Sequence, residues 1–104
     1  MNLKFSYRYK DFTNYRKVNE VIFLNPSHKT PAEAQTIIKA HLIDGKWFYA
    51  TEWDVPDLHF DNWDAEADHF LHEFISIEET RELCTNNVTI DDFLEIVREA
   101  NLHF

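Results

Sequence analysis

Leu3-Lys4-Phe5-Ser6-Tyr7-Arg8-Tyr9-Lys10 alternates apolar and polar residues without a break. A strand places successive side chains on opposite faces, so Leu3, Phe5, Tyr7 and Tyr9 share one face and Lys4, Ser6, Arg8 and Lys10 the other. Half-buried antiparallel strands carry this pattern. Residues 11–19 are polar, and Glu20-Val21-Ile22-Phe23-Leu24 follows as an apolar, β-branched run suited to a second, more central strand. The two strands are expected to pair as an antiparallel hairpin with a long loop.

Outward from the hairpin, Asn25-Pro26-Ser27 stops the second strand, because Pro26 has no N–H for a ladder. Thr30-Pro31-Ala32-Glu33 then reads as a helix start, with Thr30 as N-cap, Pro31 at N1 and Glu33 closing a capping box. Ala34, Ile37, Ile38 and Leu42 form the helix's apolar stripe. Gly45, the single glycine, is expected at the helix C′ position, where φ is positive. Residues 47–49 are a candidate short strand. Residues 53–68 read as a structured loop pinned by its aromatic rings, with room for a short helical turn.

Residues 69–77 read as a strand with Leu71, Glu73, Ile75 and Ile77 on one face and Phe70, His72, Phe74 and Ser76 on the other. After a polar connection, Thr89 caps a last helix whose buried face is Ile90, Phe93, Leu94 and Val97. The expected fold is α+β, a single domain over residues 1–104. A three- to four-stranded antiparallel sheet carries two helices packed on one face, in the order β-β-α-loop-β-α. The expected core is Phe5, Tyr7, Val21, Phe23, Ile37, Ile38, Leu42, Phe74, Ile75, Phe93 and Val97.

A hydrophobic fraction of 44% is too high for a disordered chain and suits a globular one. No continuous apolar segment resembling a secretory signal opens the chain. The longest apolar runs, residues 21–24 and 47–50, are far short of the ~20 residues a spanning helix needs. Cys84 is the only cysteine, so no internal disulfide forms. Together these point to the cytoplasm, with no membrane association.

Charge is divided unevenly along the chain. Residues 1–46 hold eight Lys/Arg and four Asp/Glu, a net of +4; residues 47–104 hold two and fifteen, a net of −13. Ten acids and no Lys or Arg lie between Thr51 and Thr80. If this division survives folding, the molecule has separate cationic and anionic surfaces.

Tyr7-x-Tyr9-Lys10-Asp11, Asn14-Tyr15-Arg16-Lys17, Glu20-Val21-Ile22-Phe23, Asn25-Pro26, Leu42-Ile43-Asp44-Gly45, Pro56-Asp57-Leu58-His59-Phe60 and Asp68-His69…His72-Glu73-Phe74 resemble a group of small uncharacterised bacterial proteins. The resemblance covers about residues 3–78. It implies a compact bacterial domain and assigns no activity, cofactor or partner to any residue.

The residues themselves offer several chemistries. His59, Asp61, Asp64, Asp68, His69, His72 and Glu73 include the side-chain types that hold Zn, Mn or Fe. Their spacing matches no metal motif such as H-E-x-x-H, and a solvated acidic loop with surface histidines is the more ordinary account of them. The same carboxylates with a histidine could serve acid–base catalysis if burial separated their pKa values. Cys84 lies in no activating sequence. A single glycine excludes P-loop and G-x-G-x-x-G phosphate cradles.

Two binding surfaces remain. Lys4, Arg8, Lys10, Arg16 and Lys17, beside Tyr7, Tyr9, Phe12 and Tyr15, could track single-stranded nucleic acid, against an overall charge of −9. Trp47, Phe48, Tyr49, Trp53, Phe60 and Trp63 are threaded with acids, and an exposed Trp within an acidic rim makes a docking hot spot. The leading expectation is a small, acidic, non-catalytic protein-binding module of inhibitor-like or immunity-like type. It would work without a cofactor and dock a basic partner through Trp53, Asp57, Asp61, Trp63, Asp64 and Asp68. The alternative is a metal-binding protein or metal-dependent hydrolase that holds a divalent transition metal with His59, Asp61, Asp68, His69 and His72. Single-stranded nucleic-acid binding by the N-terminal hairpin ranks third.

Overall fold

A computed structural model describes residues 1–10, 15–58 and 71–100. Its elements are β1 (Asn2–Lys10), β2 (Arg16–Phe23), α1 (Pro31–Ala40), β3 (Trp47–Tyr49), β4 (Leu71–Thr80) and α2 (Ile90–Ala100). The strands form one antiparallel sheet in the order β2-β1-β4-β3. The fold is therefore α+β, and the candidate strand at residues 47–49 is the fourth strand of the sheet, at its edge beside β4.

The alternation of β1 sets the inner face. Leu3, Phe5, Tyr7 and Tyr9 are wholly buried. Val21 and Phe23 of β2, Ile77 of β4, Ala34 and Ile38 of α1, and Ile90, Phe93, Leu94 and Val97 of α2 join the same core. Ile37, Leu42 and Phe74 pack against it, partly buried. Phe5 lies at the centre of an aromatic cluster, with ring centroids 5.1 Å from Phe93, 5.4 Å from Tyr7 and 5.7 Å from Phe74. Each large side chain buried in this way contributes about 1.5–3 kcal/mol.

Both helix starts follow their local sequence. At Thr30 the hydroxyl accepts the Glu33 N–H at 3.1 Å while the Glu33 carboxylate reaches back to the cap. At Thr89 the hydroxyl accepts the Asp92 N–H at 3.1 Å. The expected end of α1 is different. His41 is the C-cap, and Gly45 (φ 70°) belongs to the next turn, where Asp44 also has positive φ (53°). Asp-Gly suits a tight reversal with two positive φ angles. This one lets Ile43 and Trp47 exchange backbone hydrogen bonds of 2.7 and 2.9 Å and so starts β3.

One expected core residue is misplaced. Ile75 is 45% exposed. Ser6 faces Ser76 and Tyr7 faces Phe74, so the register shifts between them and Ile75 is the extra residue of a β-bulge. The bulge changes the phase of β4. Before it, His72 and Phe74 turn toward the core side with Tyr7; after it, Ile77 does. An unbroken alternation, as read from the sequence, puts Ile75 inside and His72 on the face opposite Ile77.

Among the described residues, no helix is long and apolar enough to cross a membrane.

Candidate functional site

The acidic segment begins in a tightly built turn after β3. Residues 50–53 make a single helical turn, and Asp54 closes it with φ 58°. Asp54 N–H donates to the Thr51 carbonyl at 3.4 Å and Val55 N–H to the Ala50 carbonyl at 3.1 Å, the bonding pattern of a Schellman stop. Ala50 and Val55 are both buried, which supplies the apolar contact that accompanies such a stop. Asp adopts this left-handed conformation more readily than most non-glycine residues.

This geometry decides which side chains face outward. Trp53 and Val55 turn into the core, while Glu52 and Asp54 stay exposed. Trp53 is 2% exposed and stacks on Phe48 with centroids 4.4 Å apart. The expectation of an exposed Trp53 ring is corrected here: the indole anchors the turn and offers a partner no surface.

Two buried polar groups then hold residues 56–58. Tyr7 Oη donates to the Pro56 carbonyl at 2.6 Å and accepts from Asn19 Nδ2 at 3.1 Å. Burial pushes the Tyr7 phenol up to about 12, with the negative charge of Asp57 adding to the rise and the Asn19 bond opposing it. The hydroxyl thus keeps its proton and remains a donor. His72, wholly buried, lies between the rings of Tyr9 (5.1 Å) and Tyr7 (5.9 Å). Its Nε2 accepts the Leu58 N–H at 3.0 Å and is 3.4 Å from Asp57 Oδ1. Accepting at Nε2 leaves the ring proton on Nδ1.

Of the residues expected at the partner surface, the structure describes Trp53 and Asp57; Asp61, Trp63, Asp64 and Asp68 lie outside the described residues. Asp57 is partly exposed beside His72. Of the expected metal ligands only His72 is described, with His59, Asp61, Asp68 and His69 outside. The Nε2 lone pair of His72 is taken by Leu58, so ligation through that atom requires breaking a buried hydrogen bond. Among the described residues no three His, Cys, Asp or Glu side chains gather into a metal-binding group. Cys84 Sγ donates to Asn87 Oδ1 at 3.3 Å.

Three of the early cations, two of them on the sheet, are paired with acids. Lys4 Nζ lies 2.7 Å from Glu82 and 3.2 Å from Glu20. Arg8 holds Glu73 through both carboxylate oxygens, the shortest contact being 2.7 Å. Lys29 reaches Asp91 at 3.5 Å. Antiparallel pairing of β1 with β4 lays the basic strand directly against the acidic one. Charge division along the sequence is thus cancelled at Lys4 and Arg8, two of the five cations of the expected nucleic-acid surface. Glu52 and Asp54 make no ion pair with any described residue.

Sequence reasoning missed Tyr7, Asn19 and His72 as a polar clamp. The available signal was Tyr7 itself: a tyrosine assigned to the core needs a hydrogen-bond partner for its hydroxyl. No protein-family model matches this chain, and neither does any curated protein or solved structure compared with it.

Proposed function

We propose that this chain is a small, acidic, non-catalytic protein-binding module, inhibitor-like or immunity-like, that docks a basic protein partner in the bacterial cytoplasm. The docking segment starts at Glu52 and Asp54 and continues through Asp57, Asp61, Trp63, Asp64 and Asp68. The carrying observation is the turn after β3: buried Trp53 and Val55 fix its backbone while Glu52 and Asp54 remain exposed and unneutralised by described cations. The Tyr7 and His72 clamps extend that fixation to residue 58. The part of the acidic surface at residues 52–58 is pre-ordered and so spends little conformational entropy on binding, and the acids steer a cationic partner by their field. The free Cys84 thiol suits a reducing compartment.

The test is a pull-down at low salt with the wild type and with a variant carrying Asp54→Asn, Asp61→Asn, Asp64→Asn and Asp68→Asn, followed by affinity measurements on the recovered partner. Asn tolerates the positive φ at position 54, so the turn is kept. Loss of the partner, together with wild-type binding that weakens as salt rises, supports the assignment. Equal affinity for both proteins removes this segment as the docking site.

A further inference from the structure

The outer edge of β2 is half covered. Ile22 turns its N–H and C=O away from β1 and bonds Thr85 with both, at 2.9 and 3.0 Å. Leu24 does the same with Val88 and Ile90, at 3.0 and 2.7 Å. The β1–β2 register runs from Leu3↔Phe23 to Lys10↔Arg16 without a shift. Backbone direction alternates along a regular antiparallel strand, so Glu20, Val18 and Arg16 also turn their N–H and C=O groups outward. No described residue bonds to those groups. The side chains of Arg16 and Glu20 are exposed, and Val18 is 62% exposed. An open edge carrying a bare β-branched residue is a template for another strand.

The sequence of this open stretch, Arg16-Lys17-Val18-Asn19-Glu20, is complementary to itself when reversed. Antiparallel pairing about a two-fold axis at Val18 sets Val18 against Val18, Lys17 against Asn19, and Arg16 against Glu20 on both sides. No like charges face each other, and the outward backbone groups fall opposite one another as hydrogen-bonded pairs. Glu20 is held in the monomer by Lys4 at 3.2 Å, but Lys4 keeps its shorter contact with Glu82, 2.7 Å, when Glu20 turns to a neighbour. We infer that a second copy of this chain pairs β2 against β2 through residues 16–20, giving a two-fold dimer with one continuous antiparallel sheet. Such an isologous contact closes on itself, because residues 85–90 cap the rest of the edge. It uses none of residues 52–68.

The contact is short, so sedimentation equilibrium should extend to millimolar protein. The wild type is expected to form dimers, and Val18→Pro to raise the dimer dissociation constant at least ~10-fold. Position 18 donates nothing to β1, and proline is tolerated on edge strands, so the variant keeps its internal ladder. Arg16→Glu and Glu20→Arg, each alone, face like charges across the axis and stay monomeric, whereas an equimolar mixture of the two restores both opposite-charge pairs and forms a heterodimer. The mixing experiment keeps the test decisive if Val18→Pro does not fold. A monomeric wild type at this concentration overturns the β2 pairing, and so does a dimer that withstands Val18→Pro or shows no gain on mixing.

Discussion

His72, wholly buried in β4, accepts the backbone N–H of Leu58 through Nε2 at 3.0 Å and so ties the start of the acidic segment to the middle of the sheet. Replacing His72 with Phe keeps the volume and aromatic neighbours but removes the acceptor. Leaving the Leu58 N–H without its partner is expected to cost about 1–3 kcal/mol, read by urea unfolding, with faster amide exchange at Leu58. Unchanged stability and exchange would show that the bond holds nothing.

Tyr7 provides a second tie, and its pH dependence has a definite sign. Its phenol is raised from 10.0 to about 12 in the fold. Below the unfolded value both states are protonated and the full stability is present. Between about pH 10 and 12 the unfolded chain loses this proton first, so stability falls as pH rises through that window. Tyr7→Phe should flatten this alkaline decline and, at neutral pH, destabilise by about 1 kcal/mol through the lost bond to Pro56. The check is chemical unfolding of both proteins across the alkaline range.

The Arg8–Glu73 pair acts at the acidic end. Hydrogen bonding to Arg8 holds the Glu73 carboxyl below its ordinary value of 4.5, with burial opposing. A depressed folded value gives stability that is present above the unfolded value and lost as pH falls through the folded one. Glu73→Gln is expected to cost about 1 kcal/mol at neutral pH, after solvent screening, and to lessen the acid-side decline. Identical acid unfolding curves for variant and wild type would contradict this.

Ile75 tests the bulge. Because it is the extra, exposed residue of β4, Ile75→Lys should change stability by less than about 0.5 kcal/mol. Ile77→Ala, one pleat further and buried, should cost about 2–4 kcal/mol. Thermal or urea unfolding of the two variants gives the comparison; the reverse order of effects would restore the unshifted alternation.

The same bulge explains why part of the site escaped a reading of the chain. With unbroken alternation, Ile75 falls inside and His72 on the face opposite Ile77; one added residue reverses both. Trp53 was misread for a different reason. An indole among acids looks like a surface hot spot, and only the left-handed Asp54 and the chain reversal it makes turn the ring onto Phe48. The charge division is broken at Arg8 because β1 and β4 are neighbours in space, which brings Arg8 onto a glutamate 65 residues away.

By itself the sequence determined that β1 pairs with the strand after it, both helix starts and most of the core, because alternation and capping act between residues a few positions apart. It did not determine that β2 starts as early as Arg16 or that it lies at the sheet edge rather than centrally. Tertiary structure alone decided the β4 register, the burial of His72 and Trp53, and which charges cancel. Those outcomes depend on distant strands meeting, and strand register is set by the summed packing and hydrogen bonding of the whole pairing, which no single local stretch encodes.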